Sequence, residues 1–193
     1  MNHTIKLIAF LGNPGIQYRN NRHNVGWLFC DSCKLFSELS WKRGFKGHWA
    51  SFETSGIKVY CIKPETFMNH SGEAIQELAA YYQITREEVL VVHDELELPF
   101  GFIGIKFGGG LGGHNGLRSM NQHLHGPDFW RLRIGIGRPD HSDIAGYVLS
   151  NFNSEELSTL NRAIFPKALE LIAPVLAGTT IQITKENTKV KAV

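Results

Sequence analysis

Apolar positions along this chain alternate between short continuous runs and stripes of helical period. Ile5–Leu11 is continuously apolar and stops at the turn Gly12–Asn13–Pro14–Gly15, the pattern of a strand buried on both faces. From Val25 the period changes. Val25, Leu28, Phe29, Ser32, Leu35, Phe36 and Leu39 recur at helical spacing and predict one helix over Val25–Leu39. Trp49–Thr54 and Ile57–Lys63 flank Ser55–Gly56 and read as a hairpin whose second strand ends at Pro64. Ala74, Ile75, Leu78, Ala79 and Tyr82 give one apolar face to a helix from about Ser71 to Gln83. Val89–Val92, Phe102–Phe107 and Trp130–Ile136 are three further strands, and Gly116–Leu124 is a short helix with Asn115 as its N-cap. Ser154–Leu176 carries one or two helices interrupted near Pro166 and Pro174. Strands alternating with helices predict a single three-layer α/β domain, residues 1–184, built on a twisted, mostly parallel mixed sheet flanked by helices. The basic tail from Lys185 to Val193 is expected to be poorly ordered.

Composition narrows this picture only a little. At 193 residues and 42% hydrophobic content the chain suffices for one continuous core. A formal charge of +2 neither demands nor excludes a nucleic-acid partner, so the placement of individual lysines and arginines must decide. No basic segment with a small-residue cleavage site precedes Ile5–Leu11, and no apolar stretch reaches membrane-spanning length. Three cysteines, an odd number without scaffold spacing, fit a reducing cytoplasm. Cys30 and Cys33 form a lone CxxC inside the predicted Val25–Leu39 helix and read as core, because no second pair exists to complete a metal site.

Polar chemistry gathers at the predicted strand ends. Asn13, Asn69 and Asp94 each follow a strand, the edge where open α/β sheets bind ligands, and His23 lies in the loop after the first strand. Five glycines between Phe107 and His114 free the backbone for close approach to a ligand and lead into His114 and Asn115. Singly, each asparagine reads as a turn former, His23 as a helix-start residue and Asp94 as a cap. Together they supply a histidine that titrates near neutrality, a carboxylate to fix its tautomer and amides to bind a carbonyl or hydroxyl, which suits hydrolysis by activated water. No GxSxG, HExxH, paired CxxC or GxxxxGK[ST] offers a serine nucleophile, a metal or a triphosphate site. Gly108, Gly110 and Gly113 satisfy GxGxxG, but the acidic residue a dinucleotide requires is missing: Asp128 precedes the next strand instead of ending it. His93 points away from Asp94 if its strand continues and reads as structural.

GNPG at Gly12–Gly15, Tyr18, RHNVG at Arg22–Gly26, KPETFMNHSG at Lys63–Gly72, HDELELP at His93–Pro99, GGGLGGHNGL at Gly108–Leu117 and RLRIGIGRP at Arg131–Pro139 occur in an order that resembles the bacterial peptidyl-tRNA hydrolases. The resemblance runs to about Tyr147. It implies an enzyme that cleaves the ester between a peptide's C-terminus and the tRNA 3′-terminal ribose, recycling tRNA without metal or cofactor. On that pattern His23 is the base that activates water and Asp94 orients it. Asn13, Asn69 and Asn115 bind substrate, Phe67 and Met68 add apolar wall, and Tyr18 and His114 are counted with the binding residues, His114 being open between catalysis and packing. Lys106 and Arg133 match the clamp for the tRNA 5′ phosphate, a contact that supplies affinity without reading sequence. Arg131 and Arg138 are weaker candidates, Arg131 sharing a strand face with Arg133. The expected partner is peptidyl-tRNA, held by its acceptor end and 5′ phosphate, with no membrane and no obligate protein partner; the chain is expected to be a cytoplasmic monomer. Two departures stand out: Gly104 replaces a lysine common in the family, and Leu111 an often polar residue. Rival readings are an RNA binder of this fold without catalysis, which has no use for His23, and a hydrolase of small esters or amides, which has no use for Lys106 and Arg133.

Overall fold

The computed structural model describes residues 4–178 and 189–193. In chain order it forms β1 (Leu7–Phe10), α1 (Val25–Ser32), α2 (Lys34–Ser37), β2 (Lys42–Gly44), β3 (Gly47–Thr54), β4 (Ile57–Pro64), α3 (Ser71–Tyr81), β5 (Val89–Glu95), β6 (Phe102–Phe107), α4 (Asn115–His123), β7 (Trp130–Gly135), α5 (Ile144–Val148), α6 (Ser154–Thr159), α7 (Phe165–Leu176) and β8 (Val190–Lys191). The strands make one sheet in the order β2-β3-β4-β1-β5-β7-β6-β8. Its centre is parallel, with β1 between β4 and β5 and β5 beside β7. Its flanks are antiparallel. The single α/β domain thus agrees with the pattern, but parallel pairing is confined to the middle of the sheet. Short connections reverse β3 against β4, where Ser55 and Gly56 close the hairpin with positive φ, and reverse β6 relative to β5, from which only residues 96–101 separate it, so that β6 meets β7 antiparallel.

Alternating side chains of the central strands feed two cores. Ile8, Phe10, Leu90 and Val92 pack with Val25, Phe29, Phe165, Ala168 and Ile172 of α1 and α7. Leu7, Ala9, Val89 and Val91 pack with Ala74, Ile75, Leu78, Leu117 and Met120 of α3 and α4. Burial on both faces explains why β1 and most of β5 read as unbroken apolar runs.

Four expectations change. The helix predicted over Val25–Leu39 breaks at Cys33, whose extended backbone (φ −91°, ψ 118°) lets Phe36 turn into the core, its ring centroid 5.0 Å from that of Phe10. Pro166 does not end its helix. The turn before it widens into a π-helical segment, Leu160–Ile164, in which the Phe165 N–H reaches back to the Leu160 carbonyl, and α7 continues through Pro174. Asn115 is the first residue of α4 and not its cap; His114 is the cap. Of the basic tail, residues 185–188 lie outside the described residues, whereas Val190–Lys191 adds an eighth strand against Phe102–Ile103.

Because β4, β1, β5 and β7 run parallel, their carboxyl ends share one edge. The turns holding Asn13 and Asn69 and the end of β5 holding Asp94 are therefore brought together as the sequence predicts. Gly26 sets how closely α1 crosses that edge: a Cβ there would lie 2.6 Å from the Leu11 carbonyl oxygen and 2.7 Å from that of Val92.

Candidate active site

His23 sits in a 3₁₀ turn, Arg22–Asn24, that runs straight into α1. Two neighbours fix that turn. Asn24 is buried and clasps Asn13 in both directions, its Oδ1 accepting from the Asn13 N–H (2.9 Å) and its Nδ2 donating to the Asn13 carbonyl (3.0 Å). Asn13 Oδ1 accepts from the Met68 N–H at 2.7 Å, which leaves its Nδ2 donor without a partner among the described residues. On the other side, Arg22 reaches across to residues 150–156.

The His23 ring meets Asp94 and His114. His23 Nδ1 lies 2.8 Å from Asp94 Oδ1, and His114 Nε2 lies 3.0 Å from the same oxygen. The protons follow from the surroundings. The N–H groups of Gly116 and Leu117 both donate to His114 Nδ1, so that nitrogen is the acceptor and Nε2–H donates to Asp94. His23 Nδ1–H is the second donor, and His23 Nε2 keeps its lone pair with no protein partner among the described residues. Burial opposes ionisation of Asp94, but the two histidines outweigh it and hold its carboxyl well below the usual carboxylate range. Burial likewise disfavours a charged His23, yet the Asp94 charge and hydrogen bond prevail and raise it above the ordinary histidine value.

His93 lies edge-on to His114, with ring centroids 5.2 Å apart. Its Nδ1–H donates to the Asp94 carbonyl, its Nε2 is buried without a hydrogen bond, and burial above all lowers its pKa well below the histidine norm. It is a neutral support behind the site, in keeping with its structural reading.

His23, Asp94 and His114 bring ligand-type atoms within 4.8 Å of one another, close enough for a metal. The proton on His114 Nε2 argues against one. A cation there needs that nitrogen's lone pair, and the ring can supply it only by moving the proton to Nδ1, against two main-chain donors.

A cavity of about 790 Å³ opens beside the three residues and is lined also by Lys106, Arg133, Arg138, Asn115, Leu111 and Ile144. Its cations differ in state. Arg133 pairs with Glu95 at 3.6 Å and Arg138 with Glu97. Lys106 reaches the cavity without an ion pair among the described residues. Arg131, a weaker phosphate candidate by its strand face, is 2% exposed and spends its guanidinium internally. It donates to the carbonyls of Gly110 (2.6 Å) and Gly109 (2.9 Å), which makes it the anchor of the glycine loop. Gly108, Gly109, Gly112 and Gly113 of that loop have φ between 58° and 90°, a region that favours glycine.

The remaining predicted residues gather outside this cavity. Tyr18 meets the exposed Phe67 edge-on at 6.5 Å, and Asn69 is exposed in the 3₁₀ turn Met68–His70. Met68 is 4% exposed and packs in the α3–α4 core, so its main chain reaches Asn13 while its side chain serves the fold. The predicted set therefore divides into a cationic cavity and an asparagine–aromatic group, joined through His23, Asn24 and Asn13. Sequence reasoning does not single out Asn24, Arg22 or Glu95. Their adjacency to His23 and Asp94 is visible, but their partners lie far away in sequence.

The pattern of the family described as "Peptidyl-tRNA hydrolase" matches residues 7–192. A peptidyl-tRNA hydrolase of Treponema pallidum is 49% identical, the match covering 84% of this chain and 81% of that protein. One of Neisseria meningitidis serogroup A is 42% identical over 96% and 97% of the two chains. The crystal structure of peptidyl-tRNA hydrolase from Acinetobacter baumannii superposes with a TM-score of 0.83 at 38% identity, covering 90% of this chain and 89% of that one.

Proposed function

Since the chain belongs to the peptidyl-tRNA hydrolase family, an enzyme family acting on ester bonds, we propose that its His23 is the general base and Asp94 the residue that orients it. The observation that carries this reading is the single Asp94 oxygen taking hydrogen bonds from both histidines while His23 Nε2 keeps its lone pair. A water held at Nε2 gives up a proton to His23 as its oxygen attacks the ester carbonyl that joins peptide and ribose. Asp94 stabilises the resulting imidazolium, which costs little reorganisation because the carboxylate is already charged and aligned. The tetrahedral intermediate then expels the ribose oxygen. His23 returns the proton to that oxygen, giving tRNA and a peptide carboxylic acid, which releases its remaining proton to water and leaves as the carboxylate.

Asn13, Asn69 and Asn115 serve as amide donors to the peptide and the terminal nucleotide, with Tyr18 and Phe67 as the apolar side of the peptide path. Lys106 and Arg133 take the tRNA 5′ phosphate, a dianion that exchanges with Glu95 as the partner of Arg133. The chain works as a cytoplasmic monomer on this reading. Release of the acyl group from an N-acetylated aminoacyl-tRNA, run beside the unblocked aminoacyl-tRNA, tests the activity. Rapid cleavage of the blocked substrate only is expected. Tight tRNA binding without cleavage would instead indicate an RNA-binding protein of this fold.

A further inference from the structure

We infer that Arg22 is a positioning residue for the proposed base: it fastens the turn that carries His23 to the segment Tyr147–Glu156, which continues from the cavity wall. The inference rests on the reading of His23 as the base. The His23 ring is hydrogen-bonded to Asp94 on one side only, so its placement depends on what holds its main chain. Asn24 holds one side. Arg22 holds the other, with three N–H donors from its two Nη groups and two rings near its carbon centre, while its Nε is buried without a hydrogen-bond partner among the described residues.

The Arg22 side chain is 11% exposed. Nη2 donates to Glu156 Oε1 at 2.8 Å, and Nη1 donates to the Asn151 carbonyl at 2.6 Å and to Ser150 Oγ at 3.2 Å. Its carbon centre lies 4.8 Å from the Tyr147 ring centroid and 5.0 Å from that of Phe152. The main chains are stitched as well: Arg22 N–H donates to the Ser150 carbonyl, Phe152 N–H to the Asn20 carbonyl, and Asn21 bridges Asn151. Both ends of the segment are fixed in turn. The Tyr147 hydroxyl donates to the Ile136 carbonyl just after β7, and Glu156 Oε2 accepts from the Asn153 N–H at the head of α6. Ile144, Ala145 and Val148 of α5 line the same cavity as His23. The wall and the base are thus one mechanical unit, and Arg22 is its joint. A guanidinium that is largely buried, with both Nη groups committed to residues 150–156, presents no free fork to an RNA phosphate. A planar fork between two rings is also a geometry that lysine cannot reproduce.

The test uses the full chain with Arg22→Gln, Arg22→Lys and Glu156→Gln, reading kcat and KM on N-acetylated aminoacyl-tRNA and the titration of the His23 ring by NMR. We expect Arg22→Gln to lower kcat at least about tenfold, the scale of a small misplacement of a reacting group, with KM within about twofold. Arg22→Lys should not restore it. His23 faces Asp94 from β5 and His114 from the head of α4, with His93 behind them. A slackened bond to Asp94 lowers the His23 titration. Loss of the Arg22 charge alone pushes it upward, so the direction separates positioning from simple electrostatics. Glu156→Gln should lower kcat by less; because loss of its carboxylate charge by itself also lowers the His23 titration, its kcat is the readout that counts, and with the charge-conserving Arg22→Lys it keeps the test intact if Arg22→Gln fails to fold. Wild-type kcat and an unmoved His23 titration in folded variants overturn the proposal. The titration needs no turnover, so it decides the role of Arg22 even if His23→Ala shows that the base lies elsewhere.

Discussion

At the scale of single residues, the site is governed by one carboxylate oxygen shared by two imidazoles. Asp94 is held below its ordinary range, so its charge stabilises the fold at pH above the unfolded carboxylate value; that contribution is lost as pH falls through the folded one. His23 is raised, so its protonated form contributes stability below the ordinary histidine value and loses it as pH rises through the folded one. On the proposed mechanism activity runs against that second effect, because a base must be unprotonated. The acid limb of kcat/KM is therefore predicted above the ordinary histidine value of 6.5. Asp94→Asn should move the limb downward, since burial remains and the raising charge is gone, and should cost about 10²–10⁴-fold in kcat/KM. A pH–rate profile of the two proteins checks this, and an unmoved limb counts against the pair. That His23 and Asp94 meet was legible from residue type and from their places after β1 and at the end of β5. The role of His114 was not, because it depends on two main-chain N–H groups at the start of α4.

At the scale of elements, the apolar runs identified the central strands well, since burial on both faces leaves no polar position to confuse the period. β6 matches its predicted bounds, and β1, β5 and β7 differ from theirs by a few residues. Short polar or tertiary elements were invisible. β2, reading Lys42–Arg43–Gly44, is a strand because β3 offers it an edge, and β8 is a strand because β6 does. The break at Cys33 is a tertiary override of a helical stripe, driven by burial of Phe36. The close approaches made at glycines could not be read either, and Gly26 shows their consequence. Its added Cβ meets two backbone oxygens that cannot swing aside, so Gly26→Ala should lose about 1–3 kcal/mol of stability as α1 lifts from the sheet edge. A lower denaturant midpoint at unchanged slope is the expected result, and turnover should fall with it because His23 rides on the same turn.

At the scale of the whole molecule, the sheet edge carries a cationic cavity and an asparagine–aromatic group, and the proposed function divides substrate recognition between them. Formal charge of +2 gives little global attraction for RNA, so affinity must come from placed cations. Lys106→Ala or Arg133→Ala is predicted to weaken tRNA binding and to flatten its salt dependence by roughly one unit of slope for each phosphate deprived of its cation. Titrations at several salt concentrations measure this, and unchanged slopes in both variants would remove the clamp from the account. The central claim concerns chemistry, and one comparison tests it most directly: kcat on N-acetylated aminoacyl-tRNA and tRNA affinity, measured together for the wild type and His23→Ala. The account predicts a loss of about 10²–10⁴-fold in kcat with nearly unchanged tRNA affinity, because the base acts chiefly in the transition state. Near-normal turnover in His23→Ala would contradict it.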